Sequence, residues 1–155
     1  MLVQLLKNLL SLFLGSSANN KLPEPTSEMV ISLQGLNDIL RKRFPDTQAQ
    51  LYLSDSLYLL CNDNDIGVFL KQDQTNKTGY VPEEYDCDDF AYHLMGQFSI
   101  PKWSYLAVGM VWTDKHALNC FVDSNEKFWF IEPQTDEILA ELKDWMGTQI
   151  RFIAI

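Results

Sequence analysis

The chain has 155 residues, of which 46% are hydrophobic, so it is long enough for one domain with a sizeable core. Its formal net charge of −9 argues against nucleic acid as the main partner, because phosphate binding needs a clustered positive surface. With three cysteines, two histidines and no C-x-x-C pair, the chain does not read as a disulfide framework or a zinc centre, whereas hard-cation binding by carboxylates stays open.

The N-terminal segment is rich in leucine. At helical spacing its large apolar residues fall on one side, namely Leu2, Leu5, Leu6, Leu9, Leu10 and Phe13. This pattern predicts an amphipathic helix and linker over residues 1–25, ahead of a domain over residues 26–155. The apolar run is too short and too interrupted to cross a bilayer. It is expected to pack on its own domain or, through residues 1–15, on a partner subunit, with interfacial membrane anchoring and a signal peptide as alternatives.

The next part of the chain predicts one helix and then strands. Thr26 or Ser27 is expected to cap an amphipathic helix that Pro45 ends. Two short β-type runs follow, "AQLYLSD" and "LYLLC", and "GVFLKQDQTNKTG" predicts a strand that leads into a polar loop. An intracellular location, cytoplasmic or virion-associated, is favoured over secretion.

The segment "PEEYDCDDFAYHLMGQF" predicts a helix with Asp86 as its N-cap, which places Cys87 in the first turn. The helix dipole lowers the pKa of a thiol there, while the carboxylates on either side raise it. A divalent cation bound by those carboxylates would reverse their effect. The alternative is an acidic first turn that only complements the dipole, with Cys87 packed inward.

A β-hairpin is expected near the C-terminus, because "HALNCFV" and "KFWFIEP" flank the turn "DSNE". Antiparallel pairing about this turn brings Glu132 close to the level of His116. A nucleophilic cysteine needs a base, and the base needs an orienting group. His116 and Glu132 are candidates for these two roles beside Cys87. With helices first and an antiparallel sheet after, the predicted fold class is α+β.

The pattern "YDCDDFAYHL … HALNCFVD … FWFIEPQTDEI" resembles the papain-like C-terminal domain of the mushroom (Marasmius) agglutinin family and its relatives in bacteria and phages. The resemblance implies a papain-like fold, in which a helix carrying the cysteine precedes an antiparallel sheet carrying histidine and glutamate. It also implies a calcium-assisted cysteine peptidase, a thiol protease and hydrolase of amide bonds, with Cys87 as nucleophile, His116 as base and Glu132 as orienting acid. The implied metal ligands are Asp86, Asp88, Asp89, Gln134 and Asp136, with Ca²⁺ as the cofactor.

Two other functions remain open at this point. The leucine-rich N-terminus fits a non-enzymatic papain-like subunit of a phage particle or toxin assembly. The D-C-x-x-aromatic helix start also resembles NlpC-type cell-wall amidases. The expected partners are therefore a peptide or protein substrate and a possible partner subunit, without nucleic acid and without a transmembrane span.

Overall fold

The computed structural model describes residues 22–155, so the predicted N-terminal helix lies outside the described residues. Three helices run over Leu33–Arg43 (α1), Asp63–Gln72 (α2) and Cys87–Phe98 (α3). Eight strands run over Val30–Ser32 (β1), Gln50–Tyr52 (β2), Leu57–Leu59 (β3), Val108–Thr113 (β4), Ala117–Val122 (β5), Phe128–Glu132 (β6), Glu137–Leu139 (β7) and Ile150–Ala154 (β8). Short 3₁₀ turns lie at Thr75–Lys77, Trp103–Tyr105 and Asp144–Met146.

Six of the strands form one mixed sheet in the order β2-β8-β4-β5-β6-β7, and β1 and β3 form a separate antiparallel pair. The C-terminal strand β8 lies between β2, to which it is parallel, and β4, to which it is antiparallel. Gly109 in β4 allows this insertion, because a Cβ atom there would collide with the Ala154 carbonyl of β8.

The predicted fold class, an α+β papain-like peptidase fold with an antiparallel sheet after the cysteine helix, is therefore corrected. The sheet is mixed, and its edge strand β2 comes from the part of the chain that precedes that helix. The pairing of β2 with β8 joins residues about one hundred positions apart in the chain, and local sequence patterns do not encode such pairings.

Strand β5 is buried along its whole length because helices cover both faces of the sheet. Leu118, Cys120 and Val122 pack in a core that includes residues of α1. Phe121 points to the opposite side and packs in a core built from α2 and α3. A strand buried on both faces belongs to the centre of a layered fold.

Two helix predictions differ from the structure. Helix α1 begins at Leu33 with Ser32 as its cap, whereas Thr26 and Ser27 bind the Asp65 carboxylate instead of capping a helix. The segment that begins at Gly67, predicted to be a strand, instead belongs to α2, which runs over Asp63–Gln72. Its signals are the Asn62 cap, an acidic first turn, and buried residues at helical spacing, namely Ile66, Phe69 and Leu70.

Two other predictions are confirmed. Asp86 is the N-cap of α3, and Cys87 is the first residue of that helix. The predicted hairpin consists of β5 and β6, which pair antiparallel from Asn119 with Ile131 to Val122 with Phe128. Among residues 22–155, none of the helices combines the length and the apolar character needed to cross a membrane.

We expect Asp65→Asn to lower the free energy of unfolding by about 1–3 kcal/mol, because Asp65 is buried and its carboxylate holds residues 26–27 against α2. Urea denaturation measures the change. Asp38→Asn, at an exposed carboxylate on α1, is the control and is expected to stay within about 0.5 kcal/mol of the original protein. Equal stability of the two variants would contradict the proposed role of Asp65.

Candidate functional site

One open cavity of about 540 Å³ contains all three residues of the predicted triad. Cys87 reaches it from the start of α3, His116 from the turn before β5, and Glu132 from the end of β6. The remaining lining residues are Tyr80, Lys115, Gln134, Thr135, Glu137, Lys143 and Trp145. The mixed sheet thus brings together residues from three separate segments of the chain.

The strongest interaction in this cavity joins His116 and Glu132. Their Nε2 and Oε2 atoms are 2.7 Å apart, and the two residues are only 7% and 2% exposed. The other carboxylate oxygen, Oε1, accepts the backbone N–H of Gln134 at 3.1 Å. Because both carboxylate oxygens are engaged, the orientation of Glu132 is fixed and so is the imidazole edge that faces it.

Thr113 holds His116 in a tight turn between β4 and β5. The Thr113 hydroxyl oxygen accepts the His116 N–H at 2.9 Å, and the Thr113 N–H donates to the His116 carbonyl at 2.8 Å. The same hydroxyl donates to the Met146 carbonyl and so connects the turn to the 3₁₀ segment Asp144–Met146. The position of the imidazole therefore depends on a hydrogen-bonded turn and not only on strand register.

Trp145 covers one side of His116. The two rings meet edge to face with their centroids 4.9 Å apart, while the indole is 56% exposed. Trp145, Tyr80 and Lys115 were not predicted from the sequence as site residues. A lone tryptophan or tyrosine outside a longer helix or strand has no periodicity that could reveal where its ring points. For Lys115 there was one signal, because it directly precedes His116 in the chain.

The Cys87 thiol is half-buried in this site, where it faces the backbone N–H of Ala117. Burial raises the pKa of Cys87, and the Asp86 and Asp88 carboxylates raise it further, while the Ala117 N–H acts in the opposite direction. A raised pKa keeps the group as a thiol at neutral pH. Removal of its proton therefore needs a base close by.

The five predicted metal ligands do not form one cluster. Asp86 and Asp88 lie together, and their carboxylate oxygens and the Cys87 sulfur are within 4.8 Å of one another. A side-chain hydrogen bond between the two aspartates lowers the pKa of Asp86 and raises that of Asp88. The Asp89 carboxylate instead accepts the Asp86 backbone N–H at 3.1 Å, as part of the helix cap.

The two predicted ligands after Glu132 also have separate surroundings. Gln134 lines the cavity beside Cys87. Asp136 turns towards the 3₁₀ segment Thr75–Lys77, where its Oδ2 accepts the side-chain N–H of Asn76. Asp136 therefore belongs to a second group of oxygen atoms, on residues 73–76.

No protein-family model matches the chain, and neither does any curated protein sequence. Solved structures do resemble it. The complex of PSL1a with E64 is 24% identical, with a TM-score of 0.70, and the match covers 83% of this chain and 51% of that one. The crystal structure of Polyporus squamosus lectin bound to the human-type influenza-binding epitope Neu5Acα2-6Galβ1-4GlcNAc is 25% identical, with a TM-score of 0.67, covering 83% and 50%.

The chain thus spans about half the length of the two solved chains it resembles. Neither solved structure is described as a papain-like peptidase, and the second is described as a lectin. The predicted labels papain-like, cysteine or thiol protease, hydrolase and calcium are therefore corrected as a classification of this chain. Any chemistry at Cys87 has to be argued from the residues of the cavity themselves.

We expect the double substitution Asp86→Asn and Asp88→Asn to make Cys87 more reactive. The carboxylates raise the pKa of the thiol, so their removal lowers it and increases the thiolate fraction at pH 8. Because more of the sulfur is then thiolate, alkylation is expected to be about threefold faster. Iodoacetamide labelling followed by intact mass measures the rate.

Glu126→Gln is the control for this experiment. It removes an exposed carboxylate in the β5–β6 turn, at the opposite end of β5 from His116, and is expected to leave the labelling rate unchanged. Slower labelling of the double variant, with its helix content intact by circular dichroism, would contradict the electrostatic account.

Proposed function

We propose that Cys87, His116 and Glu132 cleave amide bonds through a covalent acyl-enzyme on Cys87. The observation that carries this proposal is the buried 2.7 Å contact between His116 Nε2 and Glu132 Oε2, in the cavity that also contains the thiol. An imidazole fixed by a buried carboxylate, in the same cavity as a cysteine, supplies the base and the orienting group that nucleophilic catalysis uses.

The contact with Glu132 assigns a role to each imidazole nitrogen. When Nε2–H donates to the Glu132 carboxylate, the neutral ring keeps a lone pair on Nδ1. Nδ1 can then accept the proton of Cys87. The negative charge of Glu132 stabilises the imidazolium that forms. The carboxylate does not need to move for this, because its other oxygen remains bonded to the Gln134 N–H.

The raised pKa of Cys87 determines how the first step runs. The resting group is a thiol, so its proton passes to His116 as the sulfur attacks the carbonyl carbon. The S–C bond forms, the amide C–N bond breaks, and the amine leaves with the proton from His116. Water then attacks the thioester carbonyl and gives a proton to His116, the C–S bond breaks to release the carboxylic acid, and the sulfur takes the proton back from His116.

The start of α3 can also stabilise the oxyanion. Cys87 is the first residue of the helix, and backbone N–H groups in a first helical turn have no partner four residues earlier. The Cys87 N–H faces the Asp86 carboxylate in this structure, so it would serve as a donor for the negative charge that develops on the carbonyl oxygen once that carboxylate turns away. The positive end of the helix dipole acts in the same direction.

The comparisons support the proposal in one respect. PSL1a forms a complex with E64, which is a thiol-reactive epoxide, and this chain has the fold of about half of PSL1a. Kinship with the fungal agglutinin family, which motif resemblance first suggested, stays a proposal and is supported by the similarity to the Polyporus squamosus lectin.

We expect E64 to label Cys87, as measured by intact mass. His116→Ala should slow labelling by about 100-fold or more, the usual contribution of a positioned base. Glu132→Gln should slow it by a smaller factor, because the imidazole keeps its place but loses the charge behind it. The same order is expected for cleavage of a fluorogenic peptide amide.

Cys87→Ala controls for the other thiols. Cys61 and Cys120 are both 0% exposed, and burial raises the pKa of each, so this variant should remain unlabelled. Equal E64 labelling of the His116→Ala variant and the original protein would refute the proposal. So would an original protein whose Cys87 reacts with iodoacetamide but not with E64.

Glycan binding at the same cavity is a second candidate. The Polyporus squamosus lectin binds a sialylated trisaccharide, and in this chain the exposed rings of Trp145 and Tyr80 lie at a cavity with polar lining residues. Titration with Neu5Acα2-6Galβ1-4GlcNAc, followed by tryptophan fluorescence, tests this candidate. A change that saturates and is lost in Trp145→Ala favours it, and no change at millimolar trisaccharide argues against it.

A further inference from the structure

An apolar groove lies beside α3, at the β2 edge of the mixed sheet. Its volume is about 580 Å³. Strands β2, β4 and β8 and helix α3 all contribute to it, mainly through Leu51, Tyr52, Leu53, Met95, Met110 and Ile155. Such a groove suits an apolar segment better than a charged ligand.

A row of four aromatic rings continues this surface from α3 to the edge strand. Tyr92 of α3 meets Trp112 of β4, with ring centroids 5.4 Å apart. Phe152 of β8 then meets Trp112 at 5.2 Å and Tyr52 of β2 at 5.1 Å. Tyr52 and Tyr92 are 54% and 55% exposed. The groove and this row together form one apolar face, and contiguous apolar surface that water reaches marks an interaction site.

The described chain begins close to the apolar face. Leu22 packs against the core cluster of α2 and α3, and Met95, which lines the groove, packs against the same cluster. The Pro23 carbonyl accepts the Trp103 Nε1–H at 3.2 Å and so fixes the chain at this point. The segment that precedes Leu22 therefore starts within reach of the groove.

That segment has the sequence pattern of a helix that fills an apolar groove. Leu2, Leu5, Leu6 and Leu9 follow the i, i+3, i+4, i+7 spacing typical of such helices. Residues 14–21, LGSSANNK, have the composition of a linker. A linker of this length can span up to about 26 Å, which is enough to connect Leu22 with a helix on the apolar face.

Charge and tethering both favour binding within one chain. Residues 1–21 contain two lysines and no acidic residue, whereas the whole chain has a formal net charge of −9. The domain is therefore acidic and attracts this cationic segment. A short linker also keeps the segment at about millimolar effective concentration, so a second copy at micromolar concentration competes poorly for the groove.

We propose that residues 2–13 bind the apolar face of their own domain as an amphipathic helix. The leucine stripe would fill the groove, and Lys7, on the other side of the helix, would stay in water. Trp112 packs against the same buried cluster as Cys87, so the bound segment would lie beside the candidate site. The inference does not depend on the chemistry proposed for the thiol.

Hydrogen exchange of the full chain at low micromolar concentration tests the proposal. We expect the amides of residues 2–13 to exchange about tenfold or more slowly than those of an unstructured peptide. Tyr52→Lys places a cation on the apolar face and should restore fast exchange. Ile138→Lys is the matched control, because Ile138 is an exposed apolar residue on β7, at the other edge of the sheet, and it should leave the protection unchanged.

A second pair of variants alters the segment instead of the domain. Leu9→Lys and Asn8→Lys both add a cation to the segment, but only Leu9 lies on the apolar stripe. Leu9→Lys should therefore abolish the protection, and Asn8→Lys should keep it. Because neither substitution touches residues 22–155, this pair keeps the test decisive even if Tyr52→Lys misfolds.

Photo-crosslinking identifies what the segment contacts. With p-benzoylphenylalanine in place of Phe13, we expect cross-links within one chain, to peptides of β2, β8 or α3. Cross-links between two chains would overturn the proposal and show a second copy as the occupant. Protection that appears only with lipid vesicles would overturn it in favour of an interfacial membrane helix, and fast exchange of residues 2–13 in the original protein would also overturn it.

Discussion

Strand β5 is buried on both faces, and the elements of the candidate site are positioned against it. Asn119 lies in its middle and is 0% exposed, with side-chain N–H groups that donate to the Ala91 carbonyl of α3 at 3.0 Å and to the Gly109 carbonyl of β4 at 3.3 Å. A buried polar side chain that bridges a helix and a neighbouring strand specifies one docking position, since a shift would leave its donors unpaired. Cys87, four residues before Ala91, is held beside the start of β5 in this way.

The surroundings of Cys87 and His116 combine opposing electrostatic effects. The helix start and the Ala117 N–H favour a thiolate, whereas burial and the neighbouring carboxylates of Asp86 and Asp88 favour a thiol. The net effect is a raised pKa, so reactivity depends on His116 as a base and on Glu132 behind it. The cysteine alone therefore does not define the site.

Local sequence signals predicted the helix and the hairpin that carry the site more accurately than they predicted the sheet as a whole. The Asp86 cap and the β5–β6 hairpin depend on residues close together in the chain, and both agree with the structure. Helix α2 was missed because a short apolar run suits a strand or a helix equally well, although Asn62 and the acidic first turn carried the helix signal. The start of α1 was misplaced because Asp65, a distant partner, binds Thr26 and Ser27.

The sequence by itself determined that one acidic domain places Cys87 at a helix start and brings His116 and Glu132 onto one hairpin, since these features follow from caps, turns and strand alternation. Only the tertiary structure decided that β8 inserts between β2 and β4, that Trp145 covers the imidazole, and that Asp136 faces Asn76 instead of the carboxylates beside Cys87. The physical reason is distance along the chain. Contacts between residues dozens of positions apart depend on how the whole core packs, and neither periodicity nor spacing records them.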